Sequence, residues 1–174
     1  MTEKSGGHTQ PDKRLAAVCG LFCPSCTVYI GTHEHPERLK RIAAQFGVPV
    51  EEAMCDGCRA ERRCPYCATC KMEKCAAEKG LDFCGQCEDY PCEELEAFQR
   101  AMPHRIELWE TLERISQVGW EAWYQEMLAH FACPECGTLN SAYDRSCRNC
   151  GSSPSCAYVG RHQDRIARMV HDQK

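Results

Sequence analysis

CDGCRAERRCPYCATCKMEKCAAEKGLDFCGQCEDYPC, residues 55–92, places nine cysteines in 38 positions. The pattern continues on both sides. Upstream, CGLFCPSC carries Cys19, Cys23 and Cys26, and downstream CPECGTLNSAYDRSCRNCG, residues 133–151, adds four more. Sixteen of the seventeen cysteines fall in close-spaced groups, and only Cys156 stands apart. Most groups are C-x2-C, a gap that lets two thiolates take two corners of a tetrahedron around one metal while nearby amides donate to the sulfurs. Disulfide bonding is the competing explanation, but it needs an oxidising compartment. The polar opening MTEKSGGHTQPDKR and the short, interrupted stretch from Leu15 to Phe22 do not make a secretion signal. No stretch approaches the roughly 18 apolar residues of a membrane span, so a cytoplasmic chain with no membrane contact is expected.

Composition says why a metal is needed. Leu, Ile, Val and Phe number 26 of 174 residues, below the roughly 20% at which an ordinary packed core becomes doubtful. A structural zinc site couples about 10 to 16 kcal/mol of apparent binding free energy to folding, which can take the place of that core. The formal charge of −4 counts thiols as neutral; four four-thiolate sites would bring it to roughly −12. Broad charge-driven nucleic-acid binding is disfavoured, and the cations among the knuckles, such as Arg59, Arg62, Arg63, Lys71 and Lys74, offset thiolate charge.

The spacing divides the chain into five stretches. Residues 1–14 read as a disordered tail, 15–103 as a cysteine-rich multi-metal domain, 104–131 as an amphipathic helical segment, 132–151 as a zinc ribbon, and 152–174 as a tail with a weak helix. Within the second, Pro36 opens and Gly47 closes a helix with Leu39, Ile42, Ala43 and Phe46 on one face; VPVEEAM adds a helical turn, and a short helix near Lys71 to Lys79 ends at Gly80. PCEELEAFQRAMP forms another helix, stopped by Pro103. The 104–131 segment carries two apolar stripes, Leu108, Trp109, Leu112 and Ile115, then Trp120, Trp123, Tyr124, Met127, Leu128 and Phe131, broken at Gly119. Aromatic residues at helical spacing are packing surface first and a partner-binding face second. The predicted fold class is a small metal-stabilised α+β protein, mostly helical with irregular cysteine-knuckle loops, followed by the C-terminal ribbon.

In that ribbon Cys133, Cys136, Cys147 and Cys150, spaced C-x2-C-x10-C-x2-C with glycine after each pair, predict one closed zinc site. The other candidate ligands are Cys19, Cys23, Cys26, Cys55, Cys58, Cys64, Cys67, Cys70, Cys75, Cys84, Cys87 and Cys92. Twelve thiolates make three more four-ligand sites, about four zinc ions in all, with interleaved connectivity that spacing does not fix; Cys19, Cys23 and Cys26 with Cys92 is one grouping. Iron–sulfur is the alternative. Cys64, Cys67, Cys70 and Cys75 approach the ferredoxin run for a 4Fe-4S cluster, one residue longer and lacking its proline, and Cys19, Cys23 and Cys26 share the C-x3-C-x2-C spacing of radical enzymes without their barrel. His33 and His35 flank Glu34 in a polar loop at a helix start and are alternative ligands.

The strings CGLFCPSCTVYI, CDGC and CKMEKCAAEKGLDFCGQCEDYPC resemble a family of short cysteine-rich prokaryotic proteins known only as a domain of unknown function. The resemblance runs from Cys19 to the helix after Cys92, with Cys64 and Cys67 as additions to the usual string. It implies metal binding and no established reaction. Catalytic signatures for nucleophilic triads, phosphate loops or HExxH helices are missing, and Cys156 is the one spare thiol. The reading is a multi-site zinc protein with a structural or adaptor role and a protein partner, with an electron-transfer protein as the alternative and a metalloenzyme behind both.

Overall fold

Closely spaced cysteines force the backbone through tight turns, and regular structure forms only where the chain leaves them. The computed structural model describes residues 10–171. Its helices are α1 (Thr27–His33), α2 (Pro36–Phe46), α3 (Val50–Ala53), α4 (Pro65–Ala68), α5 (Lys71–Lys79), α6 (Glu93–Ala101), α7 (Leu108–Val118), α8 (Trp120–Phe131) and α9 (Ala157–His171). β structure among the described residues is limited to two isolated bridges, Ala16 with Phe22 and Ala132 with Leu139. The β half of the predicted α+β class is therefore corrected to a mostly helical fold. Each bridge closes a cysteine turn, and the chain has no length beyond the turn in which to extend a ladder.

Helix limits follow the predicted signals. Pro36 starts α2 behind His35, whose Nδ1 accepts the Arg38 N–H at 3.3 Å, and Gly47 ends it in the left-handed region at φ 68°. Gly80 ends α5 in the same way, and Gly119 separates α7 from α8 at φ 84°. Three helices depart from the reading: the single-turn α4, which is not expected within the cysteine-rich stretch, α1 and α9. α1 is buried at Val28, Tyr29, Ile30 and Gly31 although its sequence TVYIGTH is a poor helix former. A Cβ on Gly31 would lie 3.1 Å from the Leu39 backbone nitrogen, so glycine here admits the close approach of α2. The weak tail helix is instead a 15-residue α9 with Tyr158, Val159 and Ile166 buried. Packing supplies what intrinsic propensity lacks. Of the tail predicted disordered over 1–14, residues 1–9 lie outside the described residues, whereas Asp12 caps a 3-10 turn over Lys13–Leu15 and Lys13 pairs with Asp82 at 2.8 Å.

The few large apolar residues are concentrated. One core joins Leu15, Phe22, Leu95, Leu112, Trp123, Tyr124, Phe131, Tyr158 and Ile166. Phe22 packs edge-on to Tyr124 at 5.0 Å between centroids and stacks with Phe131 at 6.0 Å, and Phe131 stacks in turn on Tyr158 at 5.0 Å. A smaller cluster sets Val28, Leu39, Ile42 and Ala53 around Cys55 and Cys64.

Buried polar pairs tie the elements together. Glu107, just before α7, is 5% exposed; its carboxylate meets His130 of α8 at 2.8 Å, and His162 and Arg161 of α9 at 2.7 and 3.0 Å. Burial alone would raise its pKa, but the hydrogen bond and charge of His130, with His162 and Arg161, hold it below the ordinary glutamate range. The 133–151 stretch is fastened to α2 by Arg38 and Asp144, 2.6 Å apart and both largely buried, and to the end of α1 by Arg148 and Glu34.

Candidate metal centre

Two turns of identical form build the C-terminal site. In the first, the Gly137 N–H reaches the Cys133 carbonyl at 2.9 Å and the Cys133 N–H reaches the Thr138 carbonyl at 2.9 Å. In the second, Gly151 meets Cys147 at 2.9 Å and Cys147 meets Ser152 at 2.8 Å. Both glycines have positive φ, 74° and 77°, which a side-chain-bearing residue would resist. The turns face one another, and the sulfurs of Cys133, Cys136, Cys147 and Cys150 all lie within 4.8 Å of each other. Cys133 to Cys150 and Cys136 to Cys147 are 3.6 Å apart. A tetrahedral ion with metal–sulfur bonds of about 2.3 Å requires sulfur edges of about 3.8 Å.

Each of these sulfurs has a polar neighbour. Ser152 Oγ lies 3.1 Å from Cys133 and 3.2 Å from Cys150, Thr138 Oγ1 lies 3.3 Å from Cys136, and the Asn140 side-chain amide donates to Cys147 at 3.6 Å. Asn140 is fully buried and further fixed by the Thr138 and Ser155 carbonyls at 2.9 and 3.1 Å. The Ser152 hydroxyl lowers the pKa of Cys133, and the Thr138 hydroxyl with its own N–H brings Cys136 down to about 5. Cys133 and Cys136 are thereby drawn toward thiolate, the form a metal binds. These supporting groups escaped the sequence reading, although C-G-T and C-G-S after the second cysteine of each pair were a visible signal.

A second set is formed by Cys55, Cys64 and Cys67, whose sulfurs also lie within 4.8 Å of one another. α3 delivers Cys55, whose N–H is received by Thr32 Oγ1 of α1 at 3.0 Å. Cys64 and Cys67 flank the start of α4. Hydrogen bonds from the Cys64 and Cys67 thiols hold Cys55 far below the ordinary thiol pKa. The two cysteines that look like additions to the family string thus stand in one of the two tightest thiol sets of the described residues.

The remaining candidate cysteines divide differently from their spacing. Cys75, Cys84, Cys87 and Cys92 line one cavity of about 220 Å³. Burial pushes the Cys19 and Cys23 thiols well up, and the Cys58 thiol raises each further. The ferredoxin-like run is not gathered: Cys64 and Cys67 meet Cys55, whereas Cys75 faces the cavity. Nor do Cys19, Cys23 and Cys26 join Cys92, since Cys92 belongs to that cavity and the Cys26 thiol feels Cys55 and Cys64. His33, the last residue of α1, pairs with Asp56 at 3.2 Å and His35 caps α2, and neither joins a thiol set. Cys156 is buried, and that burial raises its thiol.

Residues 15–97 match the model of the family described as Protein of unknown function (DUF3795). No match is found among the curated proteins or among the solved structures. The DUF3795 segment contains twelve of the cysteines and reaches into α6; the C-terminal set and α7 to α9 lie beyond it. The two parts share a core through Phe22 of the DUF3795 segment and Trp123 of α8, centroids 6.0 Å apart. Trp123 is fully buried and so presents no docking face. Trp109 is half-buried, 5.9 Å from the Tyr90 ring, and opens with Pro91, Gln99 and Arg100 onto a cavity of about 400 Å³. No helix among the described residues is long and apolar enough to cross a membrane.

Proposed function

We propose that the protein is a multi-site zinc-binding module with closed cysteine sites and a structural, protein-binding role. The observation that carries this reading is the 3.6 Å sulfur spacing in the C-terminal set. It suits four thiolates on one tetrahedral ion, whereas thiolates on separate irons of a cluster stand farther apart. Dispersal of the Cys64–Cys75 run removes the best sequence argument for a 4Fe-4S cluster. Four thiolates per ion leave no open position for a substrate, which favours support over catalysis, and the one spare thiol, Cys156, is buried. Free thiols in this number need a reducing compartment such as the cytoplasm. Docking of a protein partner falls to the open face around Trp109, since Trp123 is committed to the core.

Anaerobic purification followed by elemental analysis and a visible spectrum tests the proposal. About four zinc ions and a colourless protein are expected. Iron with acid-labile sulfide, and absorbance in the visible, would replace this reading with the electron-transfer one.

A further inference from the structure

Resting on the metal-binding reading above, we propose that Cys55, Cys64 and Cys67 form a site of a second kind, in which three thiolates hold one zinc-class ion and the fourth position is open to a small exogenous thiol. The C-terminal set supplies four corners from the chain itself, whereas this set supplies three.

The three sulfurs lie within 4.8 Å of one another, and a tetrahedral ion with metal–sulfur bonds of about 2.3 Å asks for edges of about 3.8 Å, inside that limit. Among the described residues no fourth cysteine, histidine or carboxylate joins the group at that reach. Cys26 packs against the same small cluster of Val28, Leu39 and Ile42 that holds Cys55 and Cys64, yet its sulfur stands outside the set. The polar groups beside Cys55 are engaged with one another: Asp56 meets Arg62 at 2.7 Å and His33 at 3.2 Å. Three protein ligands with one position left over distinguish a zinc site that takes up a ligand from one that only braces the fold.

The backbone holds these sulfurs in place. The Cys55 N–H donates to Thr32 Oγ1 at 3.0 Å, the Asp56 N–H to the Arg62 carbonyl at 3.0 Å, and the Ala68 N–H to the Cys64 carbonyl at 2.9 Å. On the inner side Cys55 and Cys64 are buried among Val28, Leu39, Ile42 and Ala53. On the outer side Cys67 is only half-buried and its neighbour Tyr66 is 50% exposed. A small molecule therefore reaches the set from the Cys67 side.

The donor set selects the ligand. A divalent ion with three thiolates carries about −1, which weakens it toward water and hard oxygen anions and leaves a preference for a soft donor such as sulfur. Two cations flank the set: Arg62 lies in electrostatic reach of Cys55, and Arg63, the residue before Cys64, has its Nε buried without an acceptor among the described residues. Their charge offsets that of a fourth thiolate. The entering thiol releases its proton to solvent, and its sulfur takes the fourth corner.

Reconstituting the full chain with cadmium-113 under a phosphine reductant, then titrating with 2-mercaptoethanol, tests this on the unsubstituted protein. A cadmium–proton correlation spectrum should show one resonance coupled to the β-protons of Cys55, Cys64 and Cys67 and to no fourth cysteine, and another coupled to Cys133, Cys136, Cys147 and Cys150. Added thiol should move the first downfield, as sulfur replaces oxygen in the fourth position, and leave the second in place. A fourth cysteine coupled to the first cadmium, or a first resonance indifferent to the thiol, would overturn the open position while leaving metal binding intact. Absence of cadmium from this set alone would overturn the site, and absence from both sets would overturn the metal-binding reading as well. As an independent check, Cys26→Ser should keep the three-cysteine resonance and its thiol response; loss of either would reject the open site.

Discussion

One hydroxyl, that of Ser152, stands within 3.2 Å of two sulfurs of the C-terminal set. Ser152→Ala removes it from both. Supporting contacts of this kind are worth about 10- to 100-fold in metal affinity, so competition with a chromophoric chelator should show a loss in that range at one site only. The pH effect has a definite sign. Ser152 lowers the Cys133 pKa, so its removal lets protons compete better, and metal release on acidification should begin at a higher pH than in the unsubstituted protein. Cys156→Ala should leave the metal count unchanged. At this scale the sequence was most informative: every cysteine in a metal-capable thiol set came from one of the close-spaced groups, and the glycines of the C-terminal turns were evident. The hydroxyl and amide partners were not, because a serine beside a sulfur looks the same in a sequence as a serine beside water.

Among the elements, α7 and α8 separate two roles that periodicity alone confuses. Trp123 and Trp109 both fall on apolar stripes, but Trp123 is fully buried and Trp109 opens on a cavity. Trp123→Ala should cost about 3 to 5 kcal/mol, read from denaturant unfolding, whereas Trp109→Ala should cost much less and leave the metal content unaltered. Glu107 is the joint between α7, α8 and α9. Its pKa is depressed in the fold, so its stabilisation is present above the ordinary glutamate pKa and lost as pH falls through the folded one. Glu107→Gln should therefore lower stability by about 2 to 3 kcal/mol near neutral pH, with the gap to the unsubstituted protein closing below about pH 4.5, the ordinary value. Helices α2, α5, α6, α7 and α8 were legible from their apolar spacing and their glycine and proline ends. α1 was hidden by β-branched residues and Gly31, and the strength of α9 by its polar composition, since what orders each is a neighbour distant in sequence.

For the whole molecule, the proposed metal sites would act together with the core. A structural zinc site is worth about 10 to 16 kcal/mol, comparable to or larger than the about 5 to 15 kcal/mol of net stability of a typical domain. Because Phe22 sits between the cysteine turns and Trp123, Tyr124 and Phe131, chelation should abolish the near-ultraviolet circular dichroism of the tryptophans as well as the order of the cysteine turns. A native-like tryptophan signal after complete removal of metal would show that the helical part stands alone. Composition indicated too little apolar material for a core, yet what exists is pooled from stretches that spacing presented as separate. Which thiols meet was likewise hidden, because a C-x2-C turn can serve one ion or link two, and only the third dimension decides.

The position of Phe22 also sets an order of events during synthesis. Its ring partners Trp123, Tyr124 and Phe131 are encoded about a hundred residues later, and Tyr158, which stacks on Phe131, later still. At about 5 to 20 residues per second, the ribosome takes on the order of ten seconds to bridge that gap. The N-terminal cysteines thus emerge first and wait beside an uncovered apolar ring, and on the metal-binding reading proposed above early capture of metal would keep the nascent chain from mispaired thiols until its last helix arrives.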